Sequence, residues 1–327
     1  METDKKRIEF IDIAKGICII LVVISHCHIN IPYLQYIRMP LYFVLSGLFF
    51  KEYAGFWDFT IRKTNKILIP FLFFYLVGFL AYFILCQIAP DIRINTVVER
   101  FYILDPIYSR LCVNSPLWFL LSLFTINILF YIINKISTNV WVQFGMVAIM
   151  TIAGSICKSE EITLYCYFEK TLFYAPFFFM GNMLKKSGVL VGDKTNQTRY
   201  KDLLIALLGI VLFLVLALIN IRSELMGAMR FYAAAIVGVM TLLLTLKAYG
   251  KSVPIISYFG RYSIVVLCTS FWIYNPLRFI AEKANVHGGG NWIVFIVTMI
   301  VEYFVIKVFV KYLPYVTAQK DLIPVKK

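Results

Sequence analysis

A lysine and a histidine stand eleven positions apart in Lys15-Gly16-Ile17-Cys18-Ile19-Ile20-Leu21-Val22-Val23-Ile24-Ser25-His26, a run that is otherwise almost wholly apolar. On a helix, eleven residues make about three turns, so Lys15 and His26 fall within about 20° of one face and about 16 Å apart along the axis. Ionisable groups inside an apolar run are costly to bury and mark function or a specific structural partner. A neutral imidazole accepts a proton near physiological pH, which is the chemistry of a general base acting on a hydroxyl. With Lys15 snorkelled to one headgroup layer, this spacing places His26 near the middle of a bilayer. The plainer reading is a histidine hydrogen-bonded to a neighbouring helix and a lysine that only anchors orientation. His28 lies on nearly the opposite face, and both it and His287 read as interfacial.

The elements that must carry these groups follow from composition. Of 327 residues, 61% are hydrophobic and 15% charged, with 29 Phe and 21 Tyr set in long uncharged runs. A soluble chain of this length could not hide that much apolar surface. This excludes a soluble enzyme, a nucleic-acid binder, a coiled coil and a disulfide-stapled domain. An all-α, polytopic transmembrane bundle is predicted as one domain over residues 1–327. Ten spans are expected, near 11–31, 36–50, 67–89, 117–134, 139–157, 167–184, 202–220, 229–247, 257–281 and 292–313. The second is short and contains Arg38.

The net charge of +14 then reads as a record of orientation. Lys and Arg of the loops divide 21 to 10 between the two sides, the richer side holding 1–10, 51–66, Lys135, 185–201, 247–261 and 307–327. Basic loops stay cytoplasmic, so both termini are expected inside, and the longest outer connection is 90–116. The apolar part of the first span is too long for a signal-peptide h-region and lacks a following small-x-small site. The seven Cys (18, 27, 86, 112, 157, 166, 268) sit mostly in or at the ends of spans and fit no metal spacing. His287-Gly288-Gly289-Gly290 has no accompanying Gly-x-Ser-x-Gly elbow and reads as a loop, and no Walker or dinucleotide glycine pattern occurs.

Four stretches in order resemble the acyltransferase-3 type of integral-membrane O-acyltransferases. Asp12-Ile13-Ala14-Lys15-Gly16 running to His26 is similar to the family's basic residue, ten residues, then His in the first helix. Met39-Pro40-Leu41-Tyr42-Phe43…Ser46-Gly47 resembles its second-helix Met-Pro stretch. Ser115-Pro116-Leu117-Trp118-Phe119 and Gly260-Arg261-Tyr262-Ser263 resemble two later landmarks. Lys15 stands where many members carry Arg, Arg38 where a His often precedes Met-Pro, and Ser270 where a His often follows the Gly-x-x-Ser element.

The resemblance implies transfer of an acyl group, acetyl in first place, from cytoplasmic acyl-CoA to a hydroxyl of a cell-surface glycan or glycolipid. His26 would be the catalytic base. Lys15, with Arg62, Lys63 and Lys66, would meet the CoA phosphates. Arg38 and Trp118 are candidates for substrate contact. From their positions alone, Arg222 and Arg230 either contact an anionic substrate or only snorkel at the interface, and Glu302 either orients His26 or forms a purely structural pair with a basic residue such as Arg38. Acyl-CoA enters as a co-substrate, with no permanently bound cofactor and no metal. The partners are a glycan or lipid-linked saccharide and the lipids of the cytoplasmic membrane. A transporter or flippase of a saccharide precursor would show the same spans, but with matched repeats or broken helices. A non-catalytic membrane sensor or scaffold is a further alternative.

Overall fold

The computed structural model describes residues 8–88, 106–108, 111, 113–190, 196–219, 223–284 and 290–325. Among these, all regular structure is helical. The α-helices are α1 (Glu9–His26), α2 (Arg38–Leu48), α3 (Phe56–Lys63), α4 (Ile69–Ile88), α5 (Trp118–Ile136), α6 (Val140–Ser159), α7 (Phe168–Ser187), α8 (Asn196–Leu218), α9 (Glu224–Tyr249), α10 (Pro254–Arg261), α11 (Ser263–Lys283) and α12 (Gly290–Tyr312). A π-turn, Thr64–Leu68, carries α3 directly into α4.

Among the described residues, seven helical stretches are long and apolar enough to cross a membrane: Phe56–Ile84, Ser115–Ile136, Val140–Ser159, Tyr200–Leu218, Met226–Tyr249, Ser263–Lys283 and Gly290–Tyr312. Hydroxyls inside several of them satisfy themselves on the preceding turn, as lipid demands. Thr151 donates to Val147 O at 2.8 Å and Thr298 to Val294 O at 2.7 Å. The ten expected spans differ from these at three places. The first and sixth correspond to α1 and α7, which are long enough but carry charge within their length. The second corresponds to α2, whose 11 residues reach about 16 Å, half the hydrocarbon thickness.

The expected first span also ends early. The chain leaves the helix at Cys27, and His28 adopts a left-handed φ of 59°. Ile29 N–H then donates to Ile24 O, and His28 N–H to Ser25 O, each at 3.2 Å. Those two bonds form a Schellman closure, with a histidine where glycine is usual. The expected ninth span is broken as well, with Tyr262 separating α10 from α11.

The described residues group into two compact units. One comprises the chain up to Phe50 together with Pro176–Ser263. Its core is built on two helix crossings at which glycines face carbonyls. A Cβ on Gly16 of α1 would overlap Ile256 O of α10, and one on Gly260 would overlap Asp12 O. A Cβ on Gly47 of α2 would overlap Phe178 O of α7, and one on Gly181 would overlap Val44 O. Small residues allow backbones to approach this closely, which is how helices gain contact where lipid offers no hydrophobic drive. Glu9 adds an end clamp, accepting hydrogen bonds from Ser252 and Ser257 at 2.9 and 2.8 Å.

The other unit comprises Lys51–Ala175 and Ile264 onward. Its helices are tied by buried polar contacts. Ser122 and Thr171 share a hydroxyl–hydroxyl bond of 2.8 Å, and Asn114 donates to Cys268 O at 2.8 Å.

Loop-level contacts in each unit join segments that the Lys/Arg bias assigns to one side. Glu9 meets Ser252 and Ser257, Lys185 donates to Phe50 O, and Lys247 donates to Val189 O. Lys135 pairs with Glu52 at 3.4 Å, and Lys66 with Asp321 at 2.9 Å. On the opposite assignment, Cys166 N–H donates to Ile107 O at 2.8 Å. The expected outcome of thiol labelling follows. With Cys112, Cys157 and Cys166 replaced, Thr163→Cys should react with an impermeant reagent on intact cells, and Ser187→Cys only after permeabilisation. Both positions are exposed. Equal reaction of the two would remove the cytoplasmic assignment.

Candidate active site

Helix α1 runs unbroken from Glu9 to His26, so Lys15 and His26 do share one face. Lys15 is half-buried and holds its ammonium 4.7 Å from the centre of the Phe49 ring. His26 is half-buried and is the last helical residue rather than a mid-helix one. Arg38 and His28 lie in electrostatic range of its imidazole.

Between Lys15 and His26, the Cys18 thiol donates to Arg38 O at the start of α2. Cys18 is about 12 Å below His26 along α1. Segment 27–37 must therefore come back down that distance, and apart from a single 3₁₀ turn at Leu34–Tyr36 it does so without helix. It lines a half-open pocket of about 470 Å³, bordered by Leu21, Ile24 and Ser25 of α1, by His28 through Gln35, and by Arg38. Irregular backbone at membrane depth is tolerated where it lines a cavity. Around α1, Ile24 stands nearly opposite Lys15 and His26, Leu21 about 120–140° away from them and Ser25 about 80–100°. The site thus has two sides: a Lys15–His26 face, and behind it a pocket whose basic groups are His28 and Arg38.

Arg230, half-buried on α9, donates to Ile219 O, and its buried Nε has no partner among the described residues. Phe231, next to it, packs on Tyr36 of the cavity segment with ring centres 5.6 Å apart. Arg222 and His287 lie outside the described residues, as do most of 90–116 and Cys112.

The remaining candidates belong to the second unit. Arg62 bonds Asp58 at 2.9 Å and covers the Tyr53 ring at 4.6 Å; Lys63 lies 5.4 Å from the Phe59 ring centre. Lys66 follows on the π-turn, half exposed and paired with Asp321. Trp118 opens α5 with Lys170 4.3 Å over its ring and Tyr174 stacked at 6.2 Å. Both contacts consume ring surface on which a sugar could stack. Glu302 is fully buried, and Thr269 Oγ1 contacts its carboxyl oxygens at 2.8 and 3.0 Å. Its described partner is thus the Thr269 hydroxyl.

The cavity and its loop were missed by sequence reasoning. Asn30 and Pro32, just past His26, are a recognised helix-stop signal and could have ended the first span. The role of Gly16 and Gly260 had no such signal.

The described residues define a helical membrane protein whose first helix presents a basic residue and, eleven positions further on, a histidine at its end. The sequence model of the acyltransferase-3 family, described as an acyltransferase domain, matches residues 8–309. The chain belongs to that family. No curated protein matches it, and neither does any solved structure.

Proposed function

We propose that the protein is an O-acyltransferase of the cytoplasmic membrane, moving an acyl group, acetyl in first place, from cytoplasmic acyl-CoA to a hydroxyl of a cell-surface glycan or glycolipid. The observation that carries this is the unbroken α1, which holds Lys15 and His26 on one face three turns apart. In this reading Lys15 meets a phosphate of CoA at the inner end, with Arg62, Lys63 and Lys66 as further cations. His26 at the other end takes the proton of the acceptor hydroxyl as its oxygen attacks the thioester carbonyl. The C–O bond forms, the C–S bond breaks, and the CoA thiolate leaves and takes up a proton. Arg38 and Arg230, together with Arg222, give the acceptor side positive charge, which suits an acceptor bearing phosphate or carboxylate.

The test is transfer of radiolabelled acetyl from acetyl-CoA to the glycolipid and polysaccharide fractions of membranes holding this protein. Label in neither fraction, with saccharide still crossing the membrane, would favour a flippase. Lys15 gives a sharper readout. Lys15→Arg should keep most activity, because charge and the contact with Phe49 persist. Lys15→Gln should raise the KM for acyl-CoA by about 10- to 100-fold, the loss of one charge-assisted contact. Unchanged donor kinetics in the Gln variant would make Lys15 an orientation anchor only.

A further inference from the structure

Asn65 has no part in the transfer scheme, yet its side chain is fully buried and spent entirely on one distant residue. Its Nδ2 donates to Ile323 O at 2.8 Å, and its Oδ1 accepts from Ile323 N–H at 2.8 Å. The next residue, Lys66, donates to Ala318 O at 3.0 Å and pairs with Asp321 at 2.9 Å. The segment after α12 is itself shaped for this contact. Thr317 is buried in it, and the N–H groups of Gln319 and Lys320 close on Pro314 O at 2.9 and 3.0 Å. Some 250 residues of chain separate these partners, and all of the contacts fall on the π-turn that joins α3 to α4.

The two halves of the contact differ in strength. Breaking the Asn65 pair would leave a buried amide and two backbone groups unsatisfied, which is expensive. The Lys66–Asp321 pair is 45% and 40% exposed, a setting in which ion pairs contribute little. The strap is therefore firmly held at Asn65 and weakly held at Lys66.

We propose that the segment after α12 is a built-in competitor of the acyl donor. Asp321 occupies the Lys66 ammonium that a CoA phosphate would take, and donor binding displaces that carboxylate while Asn65 keeps the strap in place. This rests on the reading that residues 62–66 face the phosphates of CoA. A polyphosphate brings more charge to Lys66 than a single exposed carboxylate, so the exchange favours the donor at its working concentration.

The experiment is equilibrium binding of CoA to the full-length protein in detergent. Asp321→Asn should tighten CoA binding about 2- to 5-fold. Lys66→Gln should weaken it, and in the Lys66→Gln background Asp321→Asn should have no further effect. Hydrogen exchange supplies a second readout. Saturating CoA should speed exchange in the segment around Asp321 and leave the Ile323 amide protected. If Lys66→Gln weakens binding while Asp321→Asn leaves it unchanged or weaker, the competitor role is overturned and the donor assignment stands. If neither substitution changes CoA binding, the assignment of residues 62–66 to the donor falls as well.

Discussion

Membranes carrying the His26→Asn protein should accumulate it at the wild-type level and transfer acyl groups about 10²- to 10⁴-fold more slowly, the usual contribution of a general base. The loss would be larger if His26 also carried the acyl group covalently. Asn reproduces one hydrogen bond of a neutral imidazole but accepts no proton near neutral pH. His26 ends α1, so its replacement leaves the helix and the turn after it intact. His28→Asn is the matched control. Asn tolerates the left-handed backbone found at that position, so the closing turn survives, and the transfer rate should change little. A His26→Asn protein that transfers label at near the wild-type rate would remove His26 as the base and with it the proposed mechanism.

Gly260→Ala should be nearly as damaging, through the fold. The added methyl meets the Asp12 carbonyl of α1, and a backbone carbonyl within a helix cannot swing aside as a side chain would. The two helices must separate, and the cost reaches or exceeds the ~1–3 kcal/mol typical of overpacking. The same holds for Gly16→Ala against Ile256 O. Gly145→Ala in α6 is the control, because nothing lies within 4 Å of its added methyl. It should be neutral or slightly stabilising. Size-exclusion profiles after graded heating would compare them. A Gly260→Ala protein that survives heating as well as Gly145→Ala would refute the packing described for α1.

The long helices were legible because hydropathy alone identifies a stretch that can cross lipid. Lys15 and His26 were legible because an ionisable group in such a stretch is conspicuous. The length of α2 was not, since the apolar run through Met39-Pro40-Leu41 looks the same whether or not the residues before it are helical. Nor was the end of α1. Apolar Ile29 and Ile31 prolong the hydrophobic run past a turn that depends on a left-handed histidine. Lys66 and Glu302 show a second limit. Each was singled out for its charge, and each finds partners set by tertiary packing, Asp321 and Ala318 in one case and Thr269 in the other. No local pattern announces those contacts.

The glycine crossings also bear on the order in which the chain assembles during synthesis. Gly47 meets its α7 partner once residue 181 has been made, whereas Gly16 must wait for Gly260, about 80 residues later. At ~5–20 residues per second that is a delay of roughly 4–16 s. Throughout it, the groove of α1 that receives α10 stands open in the bilayer with Lys15 beside it. A translocon or chaperone that shields α1 over this interval would decide how much newly made protein becomes active. A ribosome stalled between residues 181 and 260 would leave the α2–α7 crossing closed and the helix bearing His26 without its partner.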